Sequence, residues 1–258
     1  MKKIVLIVLL FCAIGITPTG LFAQEEVADE ALRVPFVDLT IREPDDNREV
    51  ALSLQLLLLL AIITISPSII ILLTSFLRIA VVFDFIRRAL SLQQVPPNQV
   101  LMGIALFMTM FIMWPTFTDI YENSFRPFAD GEMSIEEMYE GAEAPLRRFM
   151  FTQMDGNHKD IQLFMKLADK PKPATAADVP TYVLIPAYVL HELTVAFKIG
   201  ILLFLPFIVI DMVVASTLMS MGMIMLPPVM ISMPFKLILF VLVDGWSLLT
   251  QQLVMSFQ

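Results

Sequence analysis

Four long apolar runs, separated by polar segments, dominate the pattern of this chain. The first two extend from Ala51 to Phe83 and from Gln99 to Trp114, with a polar turn between them. The other two, from about Tyr182 to Ala215 and from about Met223 to Phe257, follow a longer polar region. Apolar runs that approach or exceed about 20 residues are typical of helices at membrane depth. The pattern predicts an all-α integral membrane protein with two long, broken hydrophobic helical hairpins, at 51–114 and 182–258.

Polar sequence precedes and separates the two hairpins. The segment 115–181 contains amphipathic stretches and a Lys-Pro-Lys-Pro linker, so we expect a small helical domain outside the cytoplasm. The segment 24–50 is acidic and has no helical periodicity, and it is predicted to be an extended or disordered arm on the same side.

A signal peptide is predicted at 1–23. Lys2 and Lys3 precede an apolar run, and Ala23 is a small residue at a plausible cleavage position, although Leu21 is larger than the residue usual three positions before the cut. The alternative is an uncleaved signal anchor. The single cysteine, Cys12, lies in this segment, so a mature chain cut after Ala23 would have no thiol for a disulfide or a metal site.

Composition agrees with a membrane protein. Hydrophobic residues make up 57% of the 258 residues, and the mean hydropathy is +0.78. The net charge is -8, and most of the acids fall in 24–50 and 115–181. Because no basic stretch is extensive enough to follow a phosphate backbone, no nucleic-acid partner is predicted.

Prolines mark breaks in the apolar runs. Pro67 lies within a Thr-Ile-Ser-Pro-Ser stretch and removes a backbone donor, so the helix is predicted to kink there. Pro227 and Pro228 follow a methionine-rich segment and mark the turn of the second hairpin.

Several charged residues occur inside the apolar runs, where an isolated charge is costly. Cations and acids are nearly balanced there, which predicts buried ion pairs or subunit contacts. These residues are Arg78, Glu192, Lys198, Asp211, Lys236 and Asp244. Asp211 and Lys236, on opposite arms of the second hairpin, are predicted to pair. Glu192 and Lys198 are assigned to subunit contacts. A proton relay is the alternative for Asp211 and Glu192.

No catalytic or cofactor chemistry is indicated. His191-Glu192 begins a zinc-protease motif, but Val195 occupies the position of the second histidine. The sequence has no Gly-rich phosphate loop, nucleophile elbow or Cys/His cluster. No enzyme activity, metal or cofactor is therefore predicted.

Several motifs of the hairpins resemble one known family. They are Pro96–Leu101, Leu184–Val189, Ala196–Gly200, Ile210–Ser216, Met221–Met223, Pro234–Leu237 and Phe240–Trp246. In this order they resemble the FliP family of flagellar type III secretion export-gate proteins, which is related to the SctR proteins of virulence injectisomes. The resemblance extends over nearly all of 51–257.

The resemblance implies a function that composition alone does not. The resemblance implies a ring or helical oligomer: five copies join FliQ and FliR subunits in a screw-like assembly that forms the core of the export channel, together with other flagellar export components. The assembly belongs to the bacterial inner membrane and the flagellar basal body, and unfolded flagellar subunits pass through it. The domain at 115–181 is then expected to be periplasmic.

The resemblance also assigns a role to a methionine-rich loop, which in the family projects into the pore and forms a gasket. Its residues here are Met221, Met223, Ile224 and Met225. Thioether side chains are apolar and flexible, so a ring of them suits a seal that re-packs around different substrates. From the sequence alone, methionines that fill a core are the alternative.

Three other functions stay open at this stage. An injectisome export-gate homologue would share these motifs. A small-solute secondary transporter also has broken helices and charges at membrane depth, although it usually has more spans in one chain. A purely structural scaffold of the basal body would need no pore.

Overall fold

Helices account for nearly all of the described chain. The computed structural model describes residues 47–92, 95–154, 159–223 and 225–257. Its helices are α1 (Asn47–Leu72), α2 (Phe76–Ala89), α3 (Asn98–Ile112), α4 (Trp114–Ile120), α5 (Arg126–Ala129), α6 (Ile135–Gln153), α7 (Lys159–Leu167), α8 (Thr181–Ser220), α9 (Pro228–Leu242) and α10 (Gly245–Met255). A π-helical turn at Tyr121–Phe125 joins α4 to α5. With no β-strand among the described residues, the predicted all-α fold class is confirmed.

The chain divides into two compact units, residues 1–54 and residues 55–258. In the first unit the structure describes only residues 47–54, which begin α1. The second unit contains the rest of α1 and every other helix.

The N-terminal predictions fall mostly outside the described residues. This holds for the signal peptide at 1–23 and for most of the acidic arm at 24–50. Asn47–Val50, the end of that arm, are helical in the structure. The extended or disordered conformation predicted for 24–50 is therefore wrong for its last four residues, because the helix of the following apolar run begins before the run itself.

α1 passes through Pro67 without interruption. In an apolar environment no water is present to satisfy the backbone groups that would be released if the helix ended. The helix is therefore favoured on both sides of a proline within such a segment. The chain leaves the helix only at 73–75. Pro67 therefore does not end the helix, and the kink there stays a prediction. Large side chains along α1 are exposed, and Val50–Leu72 is long and apolar enough to cross a membrane.

Two helix pairs are bent at short breaks. α3 turns by 60° into the helical segment Trp114–Ala129, where Pro115 lacks the N–H that would continue the backbone ladder. α9 turns by 65° into α10. At this second bend Asp244 has a left-handed backbone (φ 52°), and a Cβ on Gly245 would lie 2.3 Å from the ring of Phe240. The Val-Asp-Gly-Trp motif is therefore a tight bend that requires glycine.

The polar turn of the first hairpin is shorter than predicted. α2 continues to Ala89, so the turn expected to begin at Asp84 starts only after this residue. Asp84 Oδ1 accepts from Arg87 at 2.6 Å, and Asp84 Oδ2 accepts from Arg88 at 2.7 Å. Oppositely charged side chains three and four residues apart stabilise a helix. The charged residues after Phe83, which were assigned to a polar loop, therefore stabilise the C-terminal end of α2.

Two apolar cores pack against α8, which has 40 residues and is about 60 Å long. The first core joins α8 to α2, α3, α9 and α10, and it includes Phe83, Ile86, Leu101, Phe207 and Phe240. The second joins the start of α8 to α6 and α7, and it includes Met150, Ile161, Met165, Leu184 and Tyr188. Full burial of one such large side chain contributes about 1.5–3 kcal/mol. α8 therefore connects the hairpins with the helices between them.

Polar caps fix two ends in the region between the hairpins. Ser134 Oγ accepts from the N–H of Glu137, while the Glu137 carboxylate accepts from the N–H of Ser134 at 2.8 Å, which begins α6. The Asp178 carboxylate accepts from the N–H of Thr175 at 2.7 Å. These backbone hydrogen bonds lower the pKa of Glu137 and of Asp178. Because the folded-state pKa is lowered, the caps stabilise the fold above the ordinary carboxyl pKa and weaken as pH falls below it.

Candidate functional site

The tip of the second hairpin is a short loop between two sharply defined helix ends. Gly222 has φ 74°, its N–H donates to the carbonyl of Met219 at 3.0 Å, and the N–H of Met223 donates to the carbonyl of Leu218 at 3.0 Å. This pair of hydrogen bonds is a Schellman stop, which favours glycine at the left-handed position. α9 then begins at Pro228, where a missing N–H costs nothing. The loop length is thus set by a glycine and a proline.

The methionines of this loop are mostly exposed. Met225 is 97% exposed and Met221 is 70% exposed, while Met223 is partly buried. Ile224 lies outside the described residues. Met221 and Met225 therefore do not fill the core of this chain, which was the alternative for the methionine-rich segment.

Asp211 and Lys236 lie 2.6 Å apart and join the two arms of the hairpin. Lys236 is buried on α9, and its Nζ also donates to the carbonyl of Ala89 at 3.2 Å and to Ser91 Oγ at 3.0 Å. Asp211 on α8 accepts a second hydrogen bond from the buried Ser232 Oγ at 2.5 Å. A cation at the last carbonyls of α2 is also favoured by the helix dipole. Lys236 therefore ties the second hairpin to the end of α2.

The Asp211–Lys236 pair leads to a testable non-additivity. Asp211→Ala or Lys236→Ala alone leaves a lone charge in an apolar environment, so each is expected to reduce assembly or export strongly. The double substitution is expected to recover part of the loss, because no uncompensated charge remains. The measurement is the amount of assembled complex and of exported substrate for all four variants. Strictly additive defects would show that the two residues do not act as a pair.

A second buried ion pair lies deeper in the protein. Arg78 on α2 makes a bidentate contact with Glu192 on α8: its Nε donates to Oε2 at 2.8 Å, and its Nη2 donates to Oε1. Both side chains are almost fully buried. The Arg78 Nη1 donates to the backbone carbonyl of Ser256 at 2.6 Å, and the guanidinium lies 3.9 Å from the ring centroid of Phe257. This pair therefore joins α2, α8 and the C-terminal residues.

Two neutral side chains near this ion pair, Gln153 and Tyr188, could not be predicted from the sequence to lie there. Gln153 Nε2 donates to the carbonyl of Phe257 at 3.0 Å, and the Tyr188 hydroxyl donates to the carbonyl of Thr74 at 3.0 Å. These partners are separated by 104 and 114 positions along the chain. No periodicity or motif marks such contacts, so only the fold identifies Gln153 and Tyr188 as part of the network.

The remaining charges of the apolar helices differ in their surroundings. His191 lies 3.5 Å from Asp160 of α7. Glu192, which the sequence grouped with Lys198 for subunit contacts, is engaged inside the chain as described above. Lys198 and Asp244 are exposed, and neither has an ion-pair partner in the part of the chain that the structure describes.

Comparison with known proteins identifies one family. The model described as the FliP family matches residues 59–253. A protein of Treponema denticola named flagellar biosynthetic protein FliP is 56% identical over 270 aligned residues, which cover 100% of each chain. Proteins of the same name are 65% identical in Treponema pallidum, covering 93% of this chain and 87% of that protein, and 58% identical in Borreliella burgdorferi, covering 88% of each. The resemblance read from the sequence motifs is therefore confirmed.

Proposed function

Because the chain belongs to the FliP family, we propose that it is a pore-forming subunit of the flagellar type III protein export gate. One observation carries the proposal: the second hairpin presents exposed methionines, Met221 and Met225, at its tip. Such a tip is suited to a contact outside the chain. Its position in sequence also coincides with the gasket loop that the family resemblance assigns.

An ion pair joins the two arms of the hairpin below this tip. Asp211 and Lys236 cross-link its arms at 2.6 Å. Asp211 lies nine positions before Ser220, the last residue of α8, which corresponds to about 14 Å of helix. The two arms below the tip are therefore cross-linked, while the thioether side chains on the loop are flexible. Several copies converging on one axis would make an apolar constriction that excludes water when empty and re-packs around a passing polypeptide.

We propose that the chain forms a pentamer with FliQ and FliR subunits in the inner membrane at the flagellar basal body. The pore would conduct unfolded flagellar subunits, and residues 115–181 would face the periplasm. Extensive exposed apolar surface on α1 and α8 supports burial against lipid or other subunits. In this assembly the chain is a conduit, and the energy for transport comes from other components.

We also propose that residues 115–181 mediate contacts between adjacent copies, and this role is tested by removing 130–178 from the full chain. We expect loss of the ring and of motility, since α6 and α7 cover the start of α8 in the second apolar core and deletion exposes that face. The measurement is copurification with FliQ and FliR, electron microscopy of the purified complex, and swimming of a strain that has this gene as its only copy. A deletion chain that still assembles and supports motility would contradict the role.

A milder variant separates assembly from folding. Ile135 and Tyr139 are exposed on α6, at 67% and 63%. Ile135→Asp with Tyr139→Asp leaves the second apolar core intact, so the chain is expected to reach the membrane in normal amount but to assemble less well. Glu140→Gln, on the same helix and exposed, is the matched control and should behave as the unmodified chain.

A further inference from the structure

Two opposite charges of the second hairpin have no ion-pair partner among the described residues. The other charged side chains of α2 and of the second hairpin have partners within the described residues. Lys198 on α8 and Asp244 at the bend between α9 and α10 have none there, and both are exposed. One surplus cation and one surplus anion therefore remain on the apolar hairpin.

The two charges lie at the same level along the hairpin. α9 packs antiparallel to α8, and Asp211 lies between Ser232 and Lys236, its two partners on α9. Asp211 is thus level with position 234 of α9. Asp244 lies about ten residues further along the chain from that position, and Ile201 lies about ten residues before Asp211, so Asp244 is level with Ile201. Ile201 is less than one helical turn from Lys198. A cavity confirms the level, because it is lined from α8 by Ile199, Leu202 and Leu203 and from the bend by Phe240, Val243 and Gly245.

Each charge lies in an exposed apolar surface. Phe197 and Ile201 flank Lys198, and Leu242 and Val243 precede Asp244, all of them exposed. Lys198 is near the middle of the 40-residue α8, so its side chain is too short to reach water beyond either end of the helix. A charge covered by lipid or by an apolar subunit surface is costly unless it is paired. Both surfaces therefore require a partner of opposite charge.

We propose that Lys198 of one copy forms an ion pair with Asp244 of the neighbouring copy. Copies that stand side by side, in a ring or in a helix with a small rise per copy, bring charges at similar levels close together, so two complementary charges can meet between neighbours. A contact of Lys198 in one copy with Asp244 in the next joins two different surfaces, and such a head-to-tail contact can repeat around a ring or along a helix. This inference rests on the proposed assembly of several copies and specifies which surfaces join them.

The test is cross-linking between two differently tagged full-length chains in membranes that also contain FliQ and FliR. Both chains have Cys12→Ser, which removes the single native cysteine. One has Lys198→Cys and the other has Asp244→Cys. A short bismaleimide reagent is expected to join the two different tags in much greater yield than two identical tags. Ser216→Cys, exposed on α8 about 27 Å further along the helix, replaces Lys198→Cys as the control and should give no such product with Asp244→Cys.

Charge reversal gives an independent measurement. Lys198→Glu or Asp244→Lys alone places like charges opposite each other, and we expect at least about a tenfold loss of assembled complex. The two reversals in one chain restore opposite charges and should restore assembly. Absence of the mixed cross-link within a complex that still assembles overturns the pair and leaves the proposed function intact. A native chain that does not assemble with itself at all overturns both.

Discussion

Replacing Met223 and Met225 together with Ala is expected to make the assembled gate leak ions. Met225 is 97% exposed at the tip, and Ala withdraws both thioethers from the axis of the proposed pore. The constriction then becomes wide enough to stay hydrated. Single-channel conductance of purified complex in planar bilayers, and dye entry into cells, are expected to rise several-fold, while some substrate is still exported.

Two controls locate the effect in the loop. Met212→Ala removes a methionine that is 67% exposed but lies on α8 below the tip, so it should not change conductance. Replacement of Met223 and Met225 with Leu should keep the resting seal better than Ala, because Leu is apolar and large. It should also slow export, because a branched side chain re-packs less readily. A fully assembled Ala variant with unchanged conductance would contradict the gasket role.

Removing the carboxylate of Glu192 is expected to produce the largest loss of stability. Glu192→Ala leaves the Arg78 guanidinium buried without a counter-charge, and breaking such a pair costs about 3–5 kcal/mol. The loss should appear as a much lower amount of chain in the membrane and as unfolding at lower denaturant concentration in detergent. Arg78→Met combined with Glu192→Leu removes both charges and keeps the volume, so it should recover part of the loss.

Asp84→Ala is the matched control for a surface pair. Asp84 bonds to Arg87 and Arg88 at the end of α2, where Arg88 is 71% exposed. Exposed pairs contribute about 0–1 kcal/mol, so this change should have little effect. If Glu192→Ala were as mild as Asp84→Ala, the Arg78–Glu192 pair would not be a main support of the fold.

The helices of this protein could be predicted from the sequence because its backbone has few alternatives. An apolar run that is removed from water must satisfy its own N–H and C=O groups, and a helix does so within one segment. The hairpin tip could also be predicted from the sequence, since Gly222 allows the left-handed residue that ends α8 and Pro228 suits the first turn of α9. Near balance of charges in apolar runs was enough to suggest that Asp211 and Lys236 meet.

Other features depend on contacts between distant segments, and only the tertiary structure decided them. A proline such as Pro67 can end a helix, but here the helix continues to Leu72. Glu192 was assigned to subunit contacts, but Arg78 lies 114 positions away in sequence and reaches it across the interface of α2 and α8. The bend at Asp244 requires Phe240 to pack against Gly245. Local propensities act over a few residues, whereas a buried charge takes whichever partner the packed helices bring within reach, and that choice exists only after the helices have packed.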